Sequence, residues 1–238
     1  MQAFRALQWN GPVGSGVTNP LYVTFQAIAK VDWEPFYCVA GVEFLCARMA
    51  HLVGLPCPAG GITRTAEGHA AYFSLDFTDL TVSPAPIVPT RFAAEHRRVA
   101  AGVAMFDAWV LNNDRNPDNL AVIGSGSGSS PFVFDHSHAL GTGGSREAIP
   151  DLPGRVGDPL VGHCLQDVLD DGREFDVWRE RINQLPPHVM LPHFEQVIAL
   201  GVLTEAEAQT IFDFLVKRRD HLIDCVTPLF HNVQNWPM

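Results

Sequence analysis

The rhythm of apolar and polar positions changes along the chain. Early on, short apolar runs bounded by turn residues predict strands: Leu21-Tyr-Val-Thr-Phe25, the stretch Phe25 to Ala29, and a hairpin of Gly61 to Thr65 with Ala70 to Leu75 around Glu67-Gly68. Between them Val42, Leu45, Met49 and Leu52 recur at helical spacing, predicting a helix over 42–53 closed by Gly54. Ser83-Pro-Ala-Pro-Ile-Val-Pro89 is extended and proline-rich. Thr90 then reads as the cap of a longer helix with Phe92, Val99, Val103, Phe106 and Val110 inside and Arg91, Glu95, Arg97 and Arg98 in water. On this reading Trp109 is core, and Asp107 is by default a surface carboxylate, with ordering of the following loop as its alternative role.

A polar loop follows, then a strand over Leu120 to Ile123, a Gly/Ser run at 124–130, and a return strand from Pro131 to Phe134. The remainder reads as helices over 158–169, 174–185 and 192–200. Thr204-x-x-Glu207 is the capping box of a last helix whose inner side is Ile211, Leu215, Leu222 and Val226. Strands followed by helices give an α+β chain. The expected division is 1–82, a linker at 83–89, and 90–238.

Composition narrows the classes. With 238 residues, 47% hydrophobic and 18% charged, the chain has ample material for a core. A formal charge of −10 leaves no basic footprint for general nucleic-acid binding. No apolar run is long enough to span a bilayer and no signal-like start is present. The 5 cysteines lack C-x-x-C spacing, so buried thiols in a reducing, cytoplasmic setting are expected.

The chemistry gathers where the hairpin begins and ends. Phe106-Asp-Ala-Trp-Val-Leu-Asn-Asn-Asp-Arg-Asn-Pro-Asp-Asn119 places Asp114, Arg115 and Asn119 at the mouth of the ribbon, and Phe132-Val-Phe-Asp135 returns a second carboxylate to the same end. Hard oxygen donors of this kind suit Mg²⁺ with phosphate better than zinc. The run of asparagine, aspartate and proline is also what an ordinary loop looks like. His136 and His138 form an H-x-H pair without a third soft ligand nearby, so His136 is read as orienting Asp135. Gly11-Pro-Val-Gly-Ser-Gly-Val-Thr18 can turn backbone N–H groups toward an anion. Of the two lysines, Lys30 and Lys217, only Lys30 lies in the first half, directly after an apolar stretch. Glu43 is the only carboxylate of the predicted helix over 42–53, and is expected in its first turn.

Asp-Arg-x-x-x-Asn, a strand, a turn, then apolar-apolar-Asp resembles the catalytic-loop and metal-loop pair of the protein-kinase-like superfamily. The variant seen here is similar to that of phosphoinositide kinases and HipA-like kinases, and the chain looks like a small bacterial or phage HipA-like kinase. The resemblance implies a two-lobed fold, with a small β-rich N-terminal lobe and a mainly helical C-terminal one. It implies Asp114 as catalytic base, Arg115 holding the loop or a phosphate, and Asn119 and Asp135 on Mg²⁺. By the same resemblance Ser15, Gly16 and Thr18 lie near the ATP phosphates, Lys30 is held by Glu43 on the α/β-phosphates, and backbone groups from Ser74 to Phe77, Leu75 among them, meet adenine. The segment 141–146 takes the place of an activation segment. Departures are Asn116 where histidine is usual, Asp135-His-Ser in place of Asp-Phe-Gly, and a short gap from Lys30 to Glu43.

The implied activity is transfer of the γ-phosphate of ATP to a hydroxyl, by resemblance a protein serine or threonine. The alternative is a kinase-like module that binds nucleotide or a protein without transfer. A Ser-His-Asp or metal hydrolase lacks its motifs.

Overall fold

A computed structural model describes residues 6–14, 20–77 and 84–236. The strands are largely as the apolar runs imply, arranged in small antiparallel sheets. Strands β1 (Ala6–Pro12) and β2 (Leu21–Phe25) form a ribbon. A separate sheet has the order β3 (Ala27–Val31), β5 (Ala70–Leu75), β4 (Gly60–Arg64). In it Lys30 lies opposite Tyr72, which lies opposite Ile62. The side chains of Ile62, Ala71 and Tyr72 are buried.

Helix α1 (Val39–Val53) packs on β3, β4 and β5. It begins three residues before Val42, because the Asp32 carboxylate accepts the Ala40 N–H at 3.1 Å and stabilises an earlier first turn. Glu43 therefore sits in the second turn, not the first. Gly54 closes the helix at φ 82°, donating to Ala50 and His51 carbonyls. Helix α1 is buried nearly all round, since its other side meets helices α4 (Arg173–Gln184) and α5 (Pro187–Ala199). One continuous apolar core thus runs through α1 from the sheet into the helical part.

The helix expected from Thr90 to Val110 is two helices, α2 (Pro89–Glu95) and α3 (Arg97–Trp109), broken where His96 leaves helical geometry. Thr90 makes no cap: Val88 is the cap residue, and Pro89 fills the first helical position, where its missing N–H costs nothing. Helix α3 is buried from Ala100 to Trp109. Gly102 is required there, because a Cβ would lie 2.3 Å from Trp178 of α4. Trp109 is core as expected, donating from Nε1 to Leu215 O at 2.8 Å.

Strands β6 (Leu120–Ile123) and β7 (Ser130–Val133) form the predicted hairpin. Residues 158–169 are not helical. Turns and irregular backbone occupy this region, after a 3-10 segment over Arg146–Arg155. The buried Arg218 guanidinium takes the carbonyls of Arg155, Val156 and Asp158, besides Ala108 O, and so pins the entry to this region. Helix α5 starts at Pro187, one turn earlier than read, with Pro192 inside it. Thr204 and Glu207 form the capping box of α6 (Glu205–Arg218). A 3-10 turn then separates α6 from the short α7 (Leu222–Val226). Among the described residues no helix is long and apolar enough to cross a membrane. The 5 cysteines are free, and burial pushes the Cys38 and Cys57 thiols up to about 12.

Candidate active site

Lys30 leaves the end of β3 and reaches across to the residues following β7. Its Nζ donates to Glu43 Oε1, to Asp135 Oδ1 at 2.5 Å and to Ser137 Oγ at 2.9 Å. Three donors meeting three oxygens is the full capacity of an ammonium group. Glu43 is buried, and its Oε1 also accepts the His136 N–H at 3.0 Å. Burial opposes ionisation of Glu43, but His136 and Lys30 together offset it and leave the carboxyl below its usual range. Burial opposes ionisation of Asp135 too. The Lys30 charge and the bonds from Lys30 and Ser137 outweigh it, holding Asp135 well below the usual carboxylate range.

Asp135 is a non-glycine residue at φ 58°, a left-handed backbone that aims its side chain back toward Lys30. Ser137 orients that carboxylate, with Oγ donating to Oδ1 at 2.5 Å. His136 does not, contrary to the sequence reading. Its ring is buried edge-on to Phe106, with Nδ1 3.6 Å from Glu43 Oε2 and neither ring nitrogen hydrogen-bonded. His138 points elsewhere, so the two histidines are not a metal pair. Its Nδ1 lies 3.8 Å from Asp114 Oδ2, at a half-exposed edge of the site.

Arg115 holds this unit together. Its Nη1 donates to Asn119 O at 3.0 Å and Phe134 O at 2.6 Å, on either side of the hairpin mouth. Its Nε and Nη2 grip Asp107, at 2.7 and 3.0 Å. With the side chain fully buried and these donors spent, Arg115 matches the first of its two expected roles, holding the loop, and acts as a positioning residue rather than as a phosphate contact. Asp107 is likewise no surface carboxylate. It is fully buried and also accepts from Asn112 Nδ2 at 2.9 Å and His163 Nε2 at 3.2 Å. Burial disfavours the Asp107 anion, yet Arg115 and His163 more than offset this and hold it well below the ordinary range. Burial keeps His163 toward its neutral form, donating from Nε2 while Nδ1 accepts the Leu165 N–H at 3.1 Å.

This network fixes the loop that carries Asp114. Asp114 N donates to Asn112 Oδ1 at 3.3 Å, and Asp114 O accepts from Asn119 Nδ2 at 2.9 Å. Phe134 N donates to Asn119 O at 3.3 Å, joining the loop to the residue before Asp135. Asp114, Asn119 and Asp135 therefore emerge from one hydrogen-bonded unit. Asn116 caps the short 3-10 turn at 117–119, its Oδ1 accepting from Asp118 N at 3.0 Å.

Beside Lys30 lies a cavity of about 170 Å³ lined by Ile28, Tyr72, Ser74, Phe77, Phe134 and Asp135, among others. Its walls are apolar and its charged groups sit at one end. Phe77 stacks on Phe132 at 5.0 Å between ring centres, tying the strand exit to the hairpin. Of the stretch expected to meet adenine, Ser74 and Phe77 line this cavity, whereas Leu75 does not, its N–H being committed to Ala59 O at 2.7 Å. Ser15, Gly16 and Thr18 lie outside the described residues.

A cation is testable here on donor chemistry. Asn119 uses its Nδ2 on Asp114, while no hydrogen bond among the described residues engages its Oδ1. With the Asp135 carboxylate this makes a sparse set of hard oxygens, suited to Mg²⁺ that takes its other ligands from phosphate and water. Among the described residues no three His, Cys, Asp or Glu side chains form a metal cage of their own.

The segment 141–146 is pinned in place. Thr142 is buried, the Gly144 carbonyl accepts Cys38 N–H at 3.0 Å, and Arg146 pairs with Glu207 at 2.5 Å. Asp107, His163 and Ser137 are the site residues that sequence reasoning missed or misplaced. The available signal was a lone carboxylate on an otherwise apolar helix eight residues before an arginine.

No family model matches the chain, and no curated protein matches it in sequence. Its fold is similar to that of the Helicobacter pylori proinflammatory kinase CtkA, with a TM-score of 0.57 at 12% identity over 96% of this chain and 97% of that one. A further structural neighbour is the HipA of Shewanella oneidensis MR-1, from a complex of HipA, HipB and operator DNA. That match has a TM-score of 0.49 at 13% identity, over 89% of this chain and 62% of that one. The α+β, kinase-like fold follows from the first likeness.

Proposed function

We propose that the chain is an ATP- and Mg²⁺-dependent phosphotransferase acting on a hydroxyl, with a protein serine or threonine as the acceptor. The observation that carries this reading is the bridge from Lys30 to both Glu43 and Asp135 at the charged end of an apolar cavity. A purine is flat and apolar on its faces, and a triphosphate is anionic. The slot between Tyr72, Phe77 and Phe134 fits the former, and Lys30 would meet the latter.

In this reading Asp114 accepts the proton of the acceptor hydroxyl, and Asn119 and Asp135 would hold the cation. Bound Mg²⁺ would neutralise charge building on the phosphates. Arg115, Asp107 and His163 touch no substrate; they fix the loop. Positioning and charge neutralisation dominate phosphoryl transfer, so a small rigid constellation suffices.

The test is incubation with γ-labelled ATP and Mg²⁺ alongside calorimetric titration of the nucleotide. Binding with transfer supports the proposal. Binding without transfer to any acceptor assigns the chain instead to the nucleotide-binding modules, and absence of binding removes both.

A further inference from the structure

The Asp114 carboxylate and the His138 imidazole face one another at the rim of the site. Their side chains are 52% and 56% exposed, and Oδ2 and Nδ1 are 3.8 Å apart. That separation is too long for a direct hydrogen bond, yet an oxygen about 2.8 Å from each atom fits between them. The neighbouring loop side chains are engaged otherwise. Asn116 caps its 3-10 turn, Asn113 Oδ1 accepts the Val161 N–H at 3.0 Å, and Asn119 binds Asp114 O. Lys30 is turned inward onto Glu43, Asp135 and Ser137. Among the described residues His138 is thus the side chain that shares the open edge of Asp114.

We infer that His138 is a second catalytic residue, holding the acceptor hydroxyl from beside Asp114. This rests on the phosphotransferase reading above. The acceptor hydroxyl donates its proton to Asp114 Oδ2, while His138 Nδ1–H donates to one lone pair of the hydroxyl oxygen. The other pair forms the bond to the γ-phosphorus as the bond to the departing diphosphate breaks. That electron pair leaves with the diphosphate, and the proton passes from the exposed Asp114 to solvent. Two contacts fix the oxygen in place where Asp114 alone would let it swing, and misplacement by about 1 Å costs on the order of 10² in rate.

The geometry names Nδ1, which supplies a test of position. The side-chain amide of asparagine can reach where Nδ1 sits, whereas that of glutamine reaches where Nε2 would be. Phosphate transfer from MgATP is measured with dephosphorylated casein as acceptor and, separately, with water, for the wild type and for His138→Ala, His138→Asn and His138→Gln. His138→Ala is expected to lower kcat by about 10–10²-fold with KM for ATP unchanged. His138→Asn should recover most of the loss and His138→Gln little of it. An active wild type whose His138→Ala variant turns over casein equally well overturns this inference and leaves the phosphotransferase reading standing. Equal rescue by asparagine and glutamine, or a loss confined to KM for ATP, also overturns it. A wild type that transfers phosphate to neither casein nor water overturns both.

Discussion

Arg115 and Asp107 form a bidentate ion pair with both side chains fully buried, Nε to Oδ2 at 2.7 Å and Nη2 to Oδ1 at 3.0 Å. The same guanidinium clasps the carbonyls at the two ends of the hairpin mouth. One buried pair therefore sets the separation of the Asp114 loop from Asp135.

Breaking that pair from one side leaves a charge without its counterpart in a site closed to water. Asp107→Asn should destabilise the chain by about 3–5 kcal/mol. Replacing both residues with apolar ones of similar volume should cost less than that single change. Urea unfolding of the two variants checks the order, and equal losses would show that the unpaired charge is not the cause.

Acid should dissolve the same pair. The folded Asp107 carboxyl titrates below its unfolded value of about 3.9, so its contribution is fully present above that pH and is lost as pH falls toward the folded value. The urea midpoint of the wild type should drop below pH about 4, and in Asp107→Asn this component of the drop should be missing. A parallel decline in both proteins would assign acid sensitivity to other carboxylates.

Gly102 lies under Trp178, with no room for a methyl group. Gly102→Ala should overpack the contact of α3 with α4 and destabilise by roughly 1–3 kcal/mol, despite the better helix propensity of alanine. Thermal unfolding measures it, and an unchanged or raised Tm contradicts the packing described.

Lys30→Met should weaken nucleotide binding by about tenfold or more, because the cavity loses its cation at the phosphate end. It should also lower stability, since Glu43 is buried and loses a charged partner. Calorimetry with MgATP separates the two effects, and unchanged affinity would place the phosphates elsewhere.

How much of this was legible in the sequence depends on the range of the interaction. Lys30 and Glu43 could be paired because lysine is so scarce, and the β6–β7 hairpin because turn residues sit between two apolar runs. For Asp107 the surface default fails and the loop-ordering alternative holds: helical periodicity assigns a carboxylate to water, although this one falls four residues after Val103 on the inner face of α3. Its partner His163 lies 56 residues away in sequence, beyond any local pattern. The region 158–169 has helix-like apolar spacing, and only the fold reveals turns there, with Arg218 pinning the carbonyls of Arg155, Val156 and Asp158 at its entry. His136 and His138 look alike in sequence. The left-handed turn at Asp135 sends one inward and the next to the rim.

The central claim is that Asp114 takes the proton from a hydroxyl that receives phosphate. The direct measurement is single-turnover transfer from γ-labelled MgATP by the wild type and by Asp114→Ala, with nucleotide affinity measured on both. The wild type should transfer phosphate, and the variant should bind MgATP as tightly while its transfer rate falls by about 10²–10⁴-fold. A variant that transfers at the wild-type rate, or a wild type that transfers none, would contradict it.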